Sequence, residues 1–248
     1  MTTQFDPRAE PAEARALPPS RPLNQILSRL PAEELEILLS HGEEISCPLR
    51  QKLFEVGDPI EVVYFPLTGM ASLVIVLSNG TAIEASTVGR EGFVGLPLLN
   101  GVPTARFRGI CQIEGNFFVL NAKVFLSIID RLPELKRRLR RYGQFASEAM
   151  AQGAACNSVH SVEQRCARWL LITADATGTT EFSLTQEFLA QMLAVRRPGV
   201  TVVLGSLVQK GLVSKRYGRI KLIDVDGLKN ISCECYGTLR MKTAELLD

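Results

Sequence analysis

The stretch LTQEFLAQMLAVRRPGVTVVLGSL, Leu184 to Leu207, holds two short apolar-periodic segments joined by two arginines and a proline. Thr185 suits the N-cap of a first helix reaching Met192, with Gln186 and Glu187 in its opening turn and Leu189, Met192 and Leu193 as its buried stripe. Pro198 disfavours the helical conformation at Arg197 but fits the first position of a helix, so a second helix is expected to begin at Pro198. Its apolar face is Val200, Leu204, Leu207 and Val208. That leaves Arg196, Arg197, Gly199, Thr201, Val202 and Gly205 on the outer side and N-terminal end, where free N–H groups and the helix dipole favour an anion. The small residues allow close approach to a major-groove wall, with arginine reaching guanine or phosphate.

Downstream, GLVSKRYGRIKLI (211–223) alternates in strand fashion around a turn holding Lys215, Arg216, Gly218 and Arg219, with Lys221 one step on. A helix-turn-helix followed by a basic β-hairpin is a winged helix, whose cations contact backbone phosphate. The formal net charge of the 248-residue chain is only +2. Binding to DNA therefore rests on where the charge sits rather than on its total.

Upstream, SVEQRCARWLLIT (161–173) is an amphipathic helix and 175–183 reads as a loop. Before it, following Pro133, a long helix places Leu135, Leu139, Tyr142, Ala146, Ala149, Gly153, Cys156 and His160 alternately four and three apart. That alternation is a coiled-coil seam and predicts a homodimer. The cation run ELKRRLRRYG (134–143) on the same helix has leucines on one side and reads as a solvated face. From Glu43 to about Leu120, short β-rich runs separated by glycine or proline, with Asn79-Gly80 as a hairpin turn, predict an antiparallel sandwich or roll. Two short helices precede it, around Leu23–Leu30 and after Pro31.

The expected organisation is α+β: a disordered tail (1–20), a β-roll sensor-like domain (21–122), a dimerisation helix region (123–160), a winged helix-turn-helix domain (161–232) and a C-terminal tail (233–248). No apolar run approaches the ~20 residues that cross a bilayer. A cytoplasmic location is expected, and no membrane partner. The six cysteines are scattered, which fits reduced thiols better than a disulfide framework. Cys156 and His160 are four apart on the long helix and Cys233-Glu-Cys235 is a second thiol pair; these make a metal site only if the fold joins them. Read separately, Cys156 packs in the seam and His160 caps or bridges at its end, so no metal is expected. With just two histidines, His41 and His160, and no phosphate-binding glycine loop, no enzyme activity is expected.

The β-roll, the long helix and the winged helix-turn-helix together resemble the Crp/Fnr superfamily of bacterial transcription regulators. GREGFVGLPLLNG (89–101) is similar to the end of the roll's sensory pocket, and 184–213 to the DNA-reading unit. The resemblance implies a symmetric dimer on a palindromic operator that recruits or blocks RNA polymerase. It also implies that Arg197 is the groove-reading arginine. Pro198 replaces the family's frequent glutamate, and Val202 stands where another base-contacting arginine often sits. In members that bind cyclic AMP, a glutamate directly after the glycine matching Gly95 holds the ribose, and an arginine matching Arg106 grips the phosphate. Here Leu96 replaces the glutamate, and Met150 and Ala151 occupy the region of the adenine contacts. Leucine accepts no hydrogen bond, and each unpaired buried polar group costs about 1–3 kcal/mol, so cyclic AMP is not the expected effector of this pocket. Iron–sulfur members bear N-terminal cysteines, and none precedes Cys47, so no such cofactor is expected. The alternative reading is a small-molecule or redox sensor whose DNA binding depends on an unidentified effector.

Overall fold

The structure, a computed structural model, describes residues 24–248. The expected tail of 1–20, and Leu23 of the expected first helix, lie outside the described residues. The remainder of that first helix is one 3-10 turn, Leu27–Arg29, followed after Pro31 by α1 (Ala32–Leu39).

Seven strands then build the roll: β1 (Glu43–Cys47), β2 (Lys52–Phe54), β3 (Val62–Pro66), β4 (Met70–Val76), β5 (Ala82–Val88), β6 (Arg108–Ile113) and β7 (Gly115–Asn121). They form two antiparallel sheets, ordered β1-β7-β3 and β2-β6-β4-β5. The Asn79-Gly80 turn joins β4 to β5 as expected: Gly80 has φ +82°, and the Asn79 side chain accepts from the Thr81 amide at 2.9 Å. A phenylalanine cluster fills the roll, with the Phe65 and Phe93 ring centroids 4.8 Å apart and those of Phe93 and Phe125 5.4 Å apart. Such tilted pairs add to the burial energy of the rings. A short helix, α2 (Leu96–Leu99), crosses between β5 and β6.

Asn121 caps α3 (Ala122–Ile128), and after Pro133 the chain enters α4 (Pro133–Val159), 27 residues long. No local side chain caps α4. Instead the Glu34 carboxylate of α1 accepts from the Glu134 and Leu135 amides at 3.0 and 2.9 Å. A carboxylate at that end satisfies open amides and opposes the helix dipole.

The first half of the seam read from the sequence packs within the chain itself. Leu135, Leu139, Tyr142 and Ala146 are buried in the core of their own roll, along with Leu246 from the chain's end. The period was correct, but spacing alone does not distinguish a partner helix from the roll beneath. The face left exposed on α4 runs through Arg140, Gln144, Ser147, Ala151, Ala154 and Ser158.

A capping box on Ser161 and Gln164 starts α5 (Val162–Thr177), which ends at Gly178 with φ +72°. Three further corrections fall here. Helix α5 runs to Thr177, beyond the Thr173 read from the sequence. Residues 181–183, read as loop, form β8 (Glu181–Ser183), hydrogen-bonded to the wing. The expected tail is no tail: after α6 (Gln186–Met192), α7 (Arg197–Gln209), β9 (Val213–Arg216), β10 (Arg219–Leu222) and α8 (Val225–Ile231), residues Cys235–Leu247 form α9. This last helix packs along α4, burying Cys235, Tyr236, Leu239 and Leu246, and the Tyr236 hydroxyl donates to Asp175 at 2.9 Å.

Candidate nucleic-acid interface

Thr185 caps α6 as read, its hydroxyl accepting from the Phe188 amide at 3.2 Å. Phe188, Leu189 and Met192 turn inward, and Ala194, at φ +50°, turns the chain towards α7. Helix α7 begins at Arg197, one residue before the expected start, with Arg196 as its N-cap and Pro198 inside the first turn. Val200, Leu204 and Leu207 are buried as expected, whereas Val208 is 44% exposed. It lies one position past Leu207 around the helix, beyond the edge of the apolar stripe.

Outward face Arg196, Arg197, Gly199, Thr201, Val202 and Gly205, all exposed, with Val202 72% exposed. Thr201 reaches back across the turn to Gln186 at 3.2 Å. No side chain caps the opening turn of α7, and neither Arg196 nor Arg197 has an acidic partner among the described residues. Two guanidinium groups without counter-charge therefore stand at the positive end of a helix, which is an anion-binding arrangement.

The wing is the three-stranded sheet β8-β10-β9. Arg216 pairs opposite Arg219, so Tyr217 and Gly218, at φ +47° and +77°, form the two-residue turn. Positive φ at both positions is the type I′ pattern that matches strand twist, and glycine at the second makes it accessible. Lys215, Arg216 and Lys221 are exposed. Arg219 is tied to Glu181 of β8 at 3.0 Å, which orients it and offsets part of its charge. Sequence reading missed Tyr217, 98% exposed at the wing tip. An aromatic next to three cations was the available signal.

Thr185 also has a partner outside its own domain: Arg50 of the roll, itself at φ +67°, donates to the Thr185 hydroxyl at 3.1 Å. Nearby, Ser72 of β4 contacts the Met192 sulfur at 3.8 Å, and the Trp169 indole of α5 donates to Glu84 of β5 at 3.1 Å. The Glu84 carboxyl, also bonded by Ser72, is pushed up to about 7, mainly by burial. None of these cross-domain contacts was legible in the chain.

In the roll, Gly95, Leu96, Arg106 and Met150 line one cavity of about 290 Å³, among Phe54, Phe93, Tyr142 and other apolar side chains. Gly95 has φ +148°, a conformation open to glycine, and a Cβ there would meet Phe93 and Val63 at 2.7 Å. Arg106 is exposed at the cavity's edge. Leu96, not a carboxylate, follows Gly95 on the wall.

Residues 164–231 match the family model described as the Crp-like helix-turn-helix domain. No curated protein matches the chain. Among solved structures, the chain is similar to FixK2 from Bradyrhizobium japonicum, with 15% identity, a TM-score of 0.61, and coverage of 77% of this chain and 98% of that one. It is similar to CLP, the c-di-GMP-responsive global regulator of Xanthomonas campestris, with 18% identity, a TM-score of 0.62, and coverage of 77% and 99%. A regulator of the Crp/Fnr family from Eubacterium rectale gives 15%, 0.62, and 83% and 96%. Residues 164–231 are thus a Crp-like helix-turn-helix domain, carried on a chain with the fold of the Crp/Fnr transcription regulators.

Proposed function

We propose that this chain is a sequence-specific transcription regulator that binds a palindromic operator as a homodimer, acts on RNA polymerase, and does not use cyclic AMP. The observation that carries the reading is the pair Arg196 and Arg197, uncompensated by any acid among the described residues, beside the exposed strip Gly199, Thr201, Val202 and Gly205. On this reading α7 enters the major groove, Arg197 bonds a base edge, and Lys215 and Arg216 contact phosphates, with Arg219, partly neutralised by Glu181, contributing less. The dimer forms through the exposed Ser147, Ala151, Ala154 and Ser158 face of α4, whose small side chains allow close helix approach. Selection of bound duplexes from a random pool tests it: a two-fold-symmetric motif supports it, and no enrichment by a folded dimer counts against it.

A second reading makes DNA binding conditional on an effector, and the Arg50–Thr185 contact favours it. The hydroxyl that caps α6 of the helix-turn-helix is held by the roll, and the roll contains an apolar cavity of about 290 Å³. Arg50→Ala then raises operator affinity in the absence of any ligand; unchanged affinity would leave the first reading alone.

A further inference from the structure

The two ligand-bearing pairs that are 77 residues apart in the chain meet in space. Cys156 is in the last turn of α4 and His160 is its C-cap, while Cys233 and Cys235 flank the turn between α8 and α9. One ligand atom from each, three sulfurs and an imidazole nitrogen, lies within 4.8 Å of all the others. The Cys156 and Cys233 sulfurs are 3.5 Å apart, and the Cys235 sulfur is 3.7 Å from His160 Nδ1. A zinc ion with Zn–S near 2.3 Å and tetrahedral angles holds its sulfurs about 3.8 Å apart. The separations, from 3.5 Å up to 4.8 Å, bracket that value, so small side-chain shifts bring all four ligand atoms around one ion.

Two observations separate this from core packing. The three cysteines form a buried cluster of their own, without an aliphatic member. A free cysteine packs as a small hydrophobe, and metal binding is one of the reasons several thiols gather at one point. The imidazole is also oriented as a metal ligand is: with Nδ1 towards the sulfurs, its Nε2 lies 3.1 Å from the Glu234 carboxylate. A carboxylate holding the far nitrogen of a ligating histidine sets both tautomer and ring direction. Gln152 Nε2, 3.0 Å from the Cys235 sulfur, donates towards the same centre.

We infer that Cys156, His160, Cys233 and Cys235 form a tetrahedral site for one zinc-type divalent cation, replacing the expectation that this chain binds no metal. Four protein ligands close the coordination sphere, so the ion is structural rather than catalytic. It fastens the end of α4 to the α8–α9 turn at the point where His160 and Ser161 lead into the helix-turn-helix domain. If that domain reads DNA as proposed above, the ion sets its angle to α4; the metal assignment itself does not depend on that reading.

The test uses the full chain, purified under reducing conditions without chelator. Elemental analysis is expected to find one zinc per chain, and cobalt added to the metal-free chain is expected to give the intense red-region absorption of tetrahedral thiolate coordination, bleached by zinc. Glu234→Gln, at an exposed side chain, is expected to keep the fold and weaken metal affinity 10–100-fold. Cys235→Ser is expected to lower the thiolate–cobalt charge-transfer intensity by about a third and to weaken cobalt affinity. A folded reduced chain that takes up neither metal overturns the assignment, as does an octahedral cobalt spectrum. A Cys156–Cys233 disulfide found in the isolated chain overturns it in favour of a redox pair.

Discussion

Two arginine-rich segments of this molecule have similar composition and opposite surroundings. On α4, Lys136 pairs with Asp130, Arg137 and Arg138 share Glu134, and Arg141 donates to the Glu245 carbonyl, which leaves Arg140 as the exposed cation of the run without an ion pair among the described residues. In the winged domain, Arg196, Arg197, Lys215 and Arg216 are exposed with no such partners among the described residues. Cations already neutralised by the protein gain little by meeting a phosphate, whereas unpaired ones release counterions from DNA and gain affinity. Whether a basic run binds DNA is decided by its neighbours rather than by its count of charges.

Substitution breaks or sharpens this contrast. Arg197→Ala is expected to have the largest effect, costing about 1–3 kcal/mol at one base position per half-site and flattening the preference there, read by competition binding against altered operators. Lys215→Ala and Arg216→Ala should each weaken binding to all sequences alike and lower the slope of log affinity against log salt by about 0.9 per lost phosphate contact. Arg137→Ala, on the paired segment, should leave DNA binding unchanged and barely shift stability, since exposed helical ion pairs contribute little. A DNA effect as large as that of Arg216→Ala would erase the contrast.

The junction of the two domains is expected to respond to pH. Burial holds the Glu84 carboxyl up at about 7, so the folded chain binds this proton more tightly than the unfolded chain does. The stabilisation is complete below the ordinary carboxylate range near 4.5 and is lost as pH rises through about 7. Glu84→Gln should flatten the fall in thermal stability between pH 5 and 8, raising stability at pH 8 by about 1–2 kcal/mol. An unchanged pH profile would place the titration elsewhere.

The legible parts of this chain were those set by local chemistry. Asn79-Gly80 announces its turn because glycine adopts positive φ there, Thr185 announces its helix through its own hydroxyl, and Arg197-Pro198 marks the helix start to within one residue. What was illegible depends on contacts distant in sequence. Leu135, Leu139, Tyr142 and Ala146 have a seam's period, yet their own roll covers them. Helix α9 hid behind a sparse pattern in which Leu239 and Leu246 are inward and Met241 is exposed. The C-x-C and Cys156/His160 pairs were visible as pairs, and only the fold joins them.

The most direct test of the central claim is a salt titration of operator binding by the wild-type chain and Arg197→Ala, each measured against a matched and a scrambled site. A steep salt dependence is expected in both proteins, with a preference for the matched site that collapses in the variant. Equal preference for the matched site in both would contradict it, and would remove Arg197 from the groove.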